Sequence, residues 1–412
     1  MRPLRRALAL GLAAAPLLAQ APSPAPVRPQ RFSLPNGMSV LLLEDHERPL
    51  VWIRLHLALA PGDLPPEHPS LPDLTLRMMD RSQAGDLRPE DLDQALERAG
   101  IAWRRGVVSG GLAWDLVTRS RDQERALGLL AARVMRSVFE APELEAQRLA
   151  AWRDAEGTGL PPRVRLRRAL EPEGSLRPPT FTDLGSVSFD DLLAFRARAF
   201  RPDRALLVLH GDLGMELAKR LALLSFGTWT APAAAPLPAG PALPSPAGPL
   251  LVAAPGSALR LQAVAAAPAD LPPEAEALLA RLLPGDPALH PGSIEVSGGC
   301  LVATLDGTPT AWVDLLDRLA SLRRRGFTEA DLARAKAAWS AGRALATLHP
   351  EAQLDEALRE ARGRAADPAR LAAFSLEALH TALHRWLDPA GLRVGAAGDP
   401  AALKALAAPS RP

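Results

Sequence analysis

Two histidines near the C-terminus have the clearest metal-binding spacing in the sequence. His380 and His384 lie at i and i+4, with Glu377 one turn earlier, so their side chains would project from one face of a helix. No acid or base residue stands between them, as the hydrolytic chemistry of a zinc peptidase would require. The chain contains neither H-x-x-E-H nor H-E-x-x-H. We therefore expect ordinary surface or interface histidines here, with a ligand role as the alternative.

Other catalytic chemistries have little support. The single cysteine, Cys300, excludes an intramolecular disulfide and a multi-thiolate metal site. G-x-S-x-G, a P-loop and G-x-G-x-x-G do not occur. The 48 Lys and Arg nearly balance 46 Asp and Glu, and no basic block is interleaved with aromatic residues. A nucleic-acid partner is therefore not expected.

The N-terminus has the pattern of a secretory signal peptide. Three arginines precede an apolar run over 7–18, and Ala19-Gln20-Ala21 offers a small-x-small cleavage site. We predict export to the periplasm or beyond, with an uncleaved anchor as the alternative. No other run reaches the ~18 apolar residues of a membrane span, so no membrane association is expected after cleavage.

The length of 412 residues suits two domains. A stretch with seven prolines and no charge, 230–249, is typical of a semi-rigid linker. We predict five segments: a signal peptide (1–21), a Pro-rich tether (22–31), an N-terminal domain (32–229), the linker (230–249) and a shortened C-terminal domain (250–408).

Local patterns predict the elements of the first domain. In the strand over 50–59, residues alternate between apolar positions and a second face that carries His56. A helix is predicted over 70–81, and Ser188 with Asp191 three residues later predicts a capping box at the start of another. A Pro/Gly-rich loop is predicted over 157–185.

The second domain repeats the pattern of the first. We predict strands around 250–266 and 293–305, and helices over 272–283, 309–325, 329–348 and 375–387. The phrase "LDPAGLRVGAAGD" echoes "RPDRALLVLHGD", and Gly211 and Gly398 lie 187 residues apart, since 398 − 211 = 187. This predicts an internal duplication.

Taken together, these phrases resemble the pitrilysin/insulinase family of zinc metallopeptidases, of the two-domain processing-peptidase type. The matching stretches include "FSLPNGMSVLLLEDHERPLV", "FEAPELEAQR", "SVSFDDLLAFRARAFRPDRALLVLHGDL", "RGFTEADLARAKAAW" and "LHRWLDPAGLRVGAAGD". The resemblance implies an α+β fold of two homologous metallopeptidase-like α/β sandwich domains facing each other across a chamber for unfolded peptides. Active relatives also use an Arg/Tyr pair in the second domain, and this chain has no tyrosine.

The family's zinc motif is degenerate in this sequence. The family places H-x-x-E-H on the helix after the second strand, with a further Glu ligand some 75 residues later. Aligning "SLPDLTLRMM" with that helix places Asp73 and Arg77 at the two histidines and Leu76 at the glutamate; the distal glutamate falls near Arg153, or Asp154 if the register shifts by one. Leucine accepts no proton, and a guanidinium offers zinc no lone pair. We expect no metal and no catalytic residue here.

An ion-pair cluster is the expected replacement for the metal. We predict that Asp73 pairs with Arg77 at helical i,i+4 spacing, and that Arg153 reaches across from the other helix. Solvated charges without contact are the alternative.

The resemblance implies a binding or assembly role. The leading hypothesis is the non-catalytic subunit of a heterodimeric zinc peptidase, whose partner carries an intact H-x-x-E-H. Unfolded peptide would add to an edge strand over 101–109, with Trp103, Arg104 and Arg105 as candidate contacts. The alternatives are a stand-alone peptide-binding or chaperone-like module, and an active metalloendopeptidase with atypical ligands.

Overall fold

The computed structural model of the chain describes residues 29–63, 68–108, 110–156, 166, 170, 181–231, 250–254, 256–268, 270–285, 294–297, 300–307, 311–404 and 406. The predicted signal peptide, most of the tether and most of the linker lie outside these ranges.

A mixed sheet forms the centre of the first half. Its strands are β1 (Gln30–Ser33), β2 (Ser39–Glu44), β3 (Leu50–Ala58), β5 (Ala102–Val108), β6 (Gly111–Arg119) and β8 (Ala205–Gly211), and a separate two-stranded pair comprises β4 (Gln83–Ala84) and β7 (Ser137–Val138). The order across the sheet is β1-β2-β8-β3-β6-β5, with β2 and β8 parallel and all other neighbours antiparallel. Strand β5 therefore lies at an edge, as the sequence predicts.

Seven helices accompany this sheet in the described part of the first half: α1 (Leu71–Asp80), α2 (Pro89–Ala99), α3 (Gln123–Arg136), α4 (Ala141–Glu156), α5 (Phe181–Ser186), α6 (Phe189–Ala199) and α7 (Met215–Phe226). The α6 capping box is present: the Asp191 backbone N–H donates to Ser188 Oγ at 3.1 Å, and the Ser188 N–H donates to the Asp191 carboxylate at 2.8 Å. The prediction of a loop over 157–185 is wrong where the structure describes this range, because α5 begins inside it and Leu166 and Leu170 are helical. The other residues of the range lie outside the described residues.

The alternation in β3 decides which face meets these helices. Val51, Ile53, Leu55 and Leu57 have no exposed surface and pack into the core with α1 and its neighbours. The intervening residues lie on the opposite face, as expected from the period of two. That face includes His56, which is nevertheless 2% exposed.

The second half repeats the order of five of the six strands of the first sheet, without a described counterpart of β1. Its strands are β9 (Leu250–Ala253), β10 (Arg260–Ala266), β11 (Ile294–Ser297), β12 (Cys300–Asp306) and β13 (Leu392–Gly398), in the order β11-β12-β10-β13-β9. Strand β13 is parallel to β9 and antiparallel to β10, as β8 is to β2 and β3. The first residues of β8 and β13 are 187 positions apart, since 392 − 205 = 187. The arrangement fits the predicted duplication.

The helices described in the second half are α8 (Pro273–Leu282), α9 (Ala311–Arg325), α10 (Glu329–Ala346), α11 (Pro350–Ala361), α12 (Pro368–Ala373), α13 (Leu376–Trp386) and α14 (Pro400–Lys404). The sequence reading missed α11, α12 and α14. The first two occupy a stretch between predicted helices to which it assigned no element.

Helix α11, although it belongs to the second half, packs on the first sheet. Its buried residues Leu354 and Ala357 contact Leu41, Leu43 and Val208, which lie on the sheet face turned away from α1. This contact explains why the second face of β3 is not exposed to solvent.

The second sheet receives a reciprocal contact from the first half. Leu166 and Leu170, four residues apart and helical, pack against Val264, Val302 and Ala397. Each half thus covers the open sheet face of the other. The described residues leave a cleft of about 560 Å³ between the halves.

Candidate functional site

The degenerate motif positions meet where α1 packs against α4. Arg77 Nε donates to Asp73 Oδ2 at 2.7 Å, one helical turn earlier, and Arg77 Nη1 donates to Asp154 Oδ2 at 2.8 Å across the helix pair. The guanidinium therefore ties the two helices together between two carboxylates. The predicted pair of Asp73 and Arg77 is present in the structure.

The prediction for Arg153 is wrong. Its side chain is exposed and makes no ion pair with Asp73, while its neighbour Asp154 reaches Arg77. One position along a helix turns the side chain by about 100°, so only one of these two residues can face α1. The structure thus agrees with the alternative alignment, shifted by one residue, in which Asp154 rather than Arg153 takes the distal position.

The Arg77 guanidinium remains charged. Burial of its side chain, which is 18% exposed, lowers its pKa, but Asp73 and Asp154 together outweigh burial and the pKa is raised. A permanent cation thus occupies the space between the two carboxylates. A zinc ion would have to enter beside this charge and displace its hydrogen bonds.

The remaining motif position offers no chemistry for hydrolysis. Leu76 is 1% exposed and packs within the apolar core of the first half. It cannot accept a proton from a water molecule. The residues present therefore do not fit a catalytic zinc ion, since one ligand position holds a cation and the base position holds a hydrocarbon.

No group of three His, Cys, Asp or Glu side chains able to hold a metal occurs among the described residues. His380, one of the two histidines at helical spacing on α13, contacts the backbone between α9 and α10. Its Nε2 lies 3.0 Å from both the N and the O of Phe327, just before α10. This contact gives His380 a structural role at the join of two helices.

The three candidate peptide contacts on β5 point to different faces. Trp103 is half-buried against the core, and Arg105 Nε donates to Asp80 Oδ2 at 2.8 Å, at the end of α1. Arg104 points to the opposite face, where its Nη2 lies 3.1 Å from Glu351 Oε1 of α11. The structure thus places Trp103 and Arg105 on the side of Arg77, and Arg104 at the contact between the halves.

A polar cluster that the sequence reading missed lies beneath α11. Arg54 Nε donates to Asp115 Oδ1 at 2.5 Å, and its Nη1 pairs with Asp355 of α11. The Arg362 guanidinium, just beyond α11, donates to the ring of His56. These contacts fix the second half on the first sheet.

The environment of His56 favours its neutral form. Burial, together with the positive charges of Arg362 and Arg54, lowers the pKa of His56 to about 3. One sequence signal could have indicated this contact: after Pro350, the residues Leu354, Ala357 and Ala361 follow helical spacing.

Several solved structures share this fold. A protease from Helicobacter pylori matches with a TM-score of 0.74 and 12% identity, over 91% of this chain and 100% of that chain. A peptidase M16 inactive domain from Pseudomonas fluorescens matches with a TM-score of 0.66 and 18% identity, over 90% and 98%. The periplasmic protease PqqL from Escherichia coli matches with a TM-score of 0.66 and 15% identity, over 90% of this chain and 45% of that chain.

No family model matches the sequence, and no curated protein does. In the part of the chain that the structure describes, no helix combines the length and the apolar character needed to cross a bilayer. The mixed sheets, the helices on them and the coverage of most of the chain agree with the solved neighbours. The chain has the α+β fold of M16-like, that is pitrilysin-like, peptidases.

Proposed function

We propose that this chain is a catalytically inactive M16-like protein that serves as the non-catalytic subunit of a heterodimeric zinc peptidase. The observation that carries the proposal is the Arg77 guanidinium held between Asp73 and Asp154. An internal cation at this point preserves the link between the two helices while it removes the metal and its chemistry. A solved neighbour described as an inactive M16 domain has the same fold.

The pairing with an active homologue is supported by two features. Helical residues cover a face of both sheets and border a cleft of about 560 Å³, so a chamber large enough for unfolded peptide would form against a second protein. The match to PqqL covers 45% of that chain, which leaves room in that protein for a second unit of this size.

Peptide binding would use the edge strand β5. Its outer edge has no strand partner among the described residues, and a strand edge can add an extended peptide through backbone hydrogen bonds. Trp103 and Arg105 would contact the side of the peptide nearest α1. Export of the protein by the predicted signal peptide would place this assembly in the periplasm or outside the cell.

The first experiment tests the chain alone. We expect the purified protein to contain no stoichiometric zinc and to cleave no quenched peptide, with or without chelator. Zinc at one ion per chain together with chelator-sensitive cleavage would overturn the proposal and favour an active peptidase with atypical ligands.

The second experiment adds the partner. A tagged form of this chain is co-expressed with an exported homologue that retains H-x-x-E-H, and the complex is isolated and assayed. We expect chelator-sensitive cleavage that is lost when the motif glutamate of the homologue is replaced by glutamine. If this chain is instead a monomer that binds unfolded peptide equally tightly with and without the homologue, the result would support a stand-alone binding module.

Peptide placement is tested by photo-crosslinking. An unfolded peptide with a photoreactive phenylalanine should crosslink within β5 of this chain or to the partner. Crosslinks confined to other surfaces of this chain would reject the edge-strand mode while leaving the pairing intact.

A further inference from the structure

The cleft between the halves lies on the opposite side of the first sheet from Arg77. Leu43 and Ala58 line it from the first half, and residues of α8, α10 and α11 line it from the second. Its volume of about 560 Å³ is within the range of ligand pockets in proteins. The cleft is therefore separate from the degenerate motif.

Positive charge predominates in the lining of this cleft. Five arginines and three glutamates contribute to it, which gives a net charge of +2 because 5 − 3 = 2. Two of the arginines are already engaged, Arg359 with Glu356 at 3.2 Å and Arg362 with His56. Among the residues that the structure describes, no carboxylate lies within ion-pair distance of the other three arginines, Arg281, Arg343 and Arg364.

Two of these guanidiniums are positioned by contacts other than ion pairs. Arg343 stacks on the ring of Trp339, with Cζ 5.4 Å from the ring centroid. Arg281, on α8, lies over Gly342 of α10, the helix that also carries Trp339 and Arg343. A Cβ at position 342 would approach Arg281 Nη2 to 2.6 Å. Glycine at 342 thus lets the Arg281 guanidinium lie against the surface of α10.

This arrangement leaves hydrogen-bond donors available in a confined space. A guanidinium has five N–H donors, and a stacking contact with an aromatic face does not use them. Guanidiniums that line one cleft repel each other, and an anion between them reduces that repulsion. Glu276 and Glu360 also line the cleft and would repel an anion close to them. The cleft should therefore prefer a ligand that contacts several arginines over a single small anion.

We propose that this cleft binds carboxylate ligands through Arg281 and Arg343, with Arg364 as a further cation in its lining. Carboxylates match the planar fork of a guanidinium in a bidentate geometry. They can come from an acidic peptide segment or from a small polycarboxylate. The proposal concerns the isolated chain and does not depend on a catalytic partner.

Binding is measured on the purified full chain by fluorescence anisotropy with labelled hexaglutamate. Labelled hexaglutamine is the uncharged comparison, and unlabelled citrate is the small competitor. We expect hexaglutamate to bind at least tenfold more tightly than hexaglutamine. Displacement by citrate at equal carboxylate concentration would identify a small polycarboxylate as a sufficient ligand, and a lack of displacement would identify the acidic peptide.

The double variant Arg281→Gln with Arg343→Gln tests the assignment. We expect its affinity for hexaglutamate to fall at least tenfold. Arg324→Gln is the matched control, because Arg324 is an exposed arginine on α9 outside the cleft, and it should leave the affinity unchanged. Thermal unfolding of all three proteins checks that they remain folded.

Three results would overturn the proposal: no binding of hexaglutamate or citrate, equal binding of hexaglutamine, or equal loss of affinity in the double variant and in Arg324→Gln. None of them bears on zinc content or on pairing with an active homologue. Failure of the carboxylate site and failure of the proposed function can therefore be told apart.

Discussion

Acidification should weaken this protein through His56 in particular. The side chain is 2% exposed beneath α11, faces the Arg362 guanidinium and has a pKa of about 3, against 6.5 when exposed to water. Below about pH 6.5 the unfolded chain takes up a proton at this position and the folded protein does not. The stability present above pH 6.5 is therefore lost as the pH falls toward 3.

The size of this loss follows from the two pKa values. Each pH unit between them costs about 1.4 kcal/mol. Going from about pH 7.5 to about pH 5 should thus lower the free energy of unfolding by about 2 kcal/mol through His56 alone. His56→Gln removes the titrating group and keeps an acceptor for Arg362, so this part of the pH dependence should disappear.

The assay is urea unfolding followed by tryptophan fluorescence, for wild type and His56→Gln at both pH values. Other groups titrate equally in the two proteins, and burial also lowers the pKa of His210 in both. The difference between the two losses therefore isolates His56. Equal losses, within about 0.5 kcal/mol, would refute the reasoning that burial and Arg362 keep His56 neutral.

Three further predictions concern the helix link and the contact between the halves. Arg77→Met should lower the free energy of unfolding by about 1 kcal/mol, because the ion pairs that it removes are partly exposed and screened; an unchanged urea midpoint would mean that they contribute nothing. Arg77→His places an imidazole between Asp73 and Asp154 and should create a site for one Zn²⁺ per chain, measured by calorimetric titration. If this variant takes up no zinc, the two carboxylates do not converge on one point. Leu354→Ala should cost about 2–3 kcal/mol and speed amide exchange in α11, whereas Leu345→Ala, at a side chain that is 61% exposed, should cost less than about 0.5 kcal/mol.

The elements that the sequence predicts well depend on local physics. The alternation in β3 separates a buried apolar face from a second face, and the capping box of Ser188 and Asp191 forms as expected. The ends of α1, at Leu71 and Asp80, agree with the predicted helix to within one residue. Each of these features is set by neighbours within a few positions along the chain.

The features that the sequence reading missed depend on contacts between distant segments. It predicted that Arg153 reaches across to Asp73, whereas Asp154 holds Arg77. Alignment over about 75 residues fixes a position only to within one residue, while a helix turns by about 100° at each step. It gave no sign that Asp355 would meet Arg54, since 301 positions separate them. Helix α11 has modest apolar content, and its partner surface belongs to the other half.

The sequence by itself determined that a zinc ion has no complete ligand set here, because Leu76 and Arg77 carry no electron pair that a metal or a proton could use. It also determined the two similar α+β halves, because the apolar periods and the repeated phrase are properties of short segments. Only the tertiary structure decided that Asp154 rather than Arg153 holds Arg77, and that each half covers the open sheet of the other. These outcomes depend on how helices rotate and pack against surfaces far away in the chain, and no local pattern encodes that geometry.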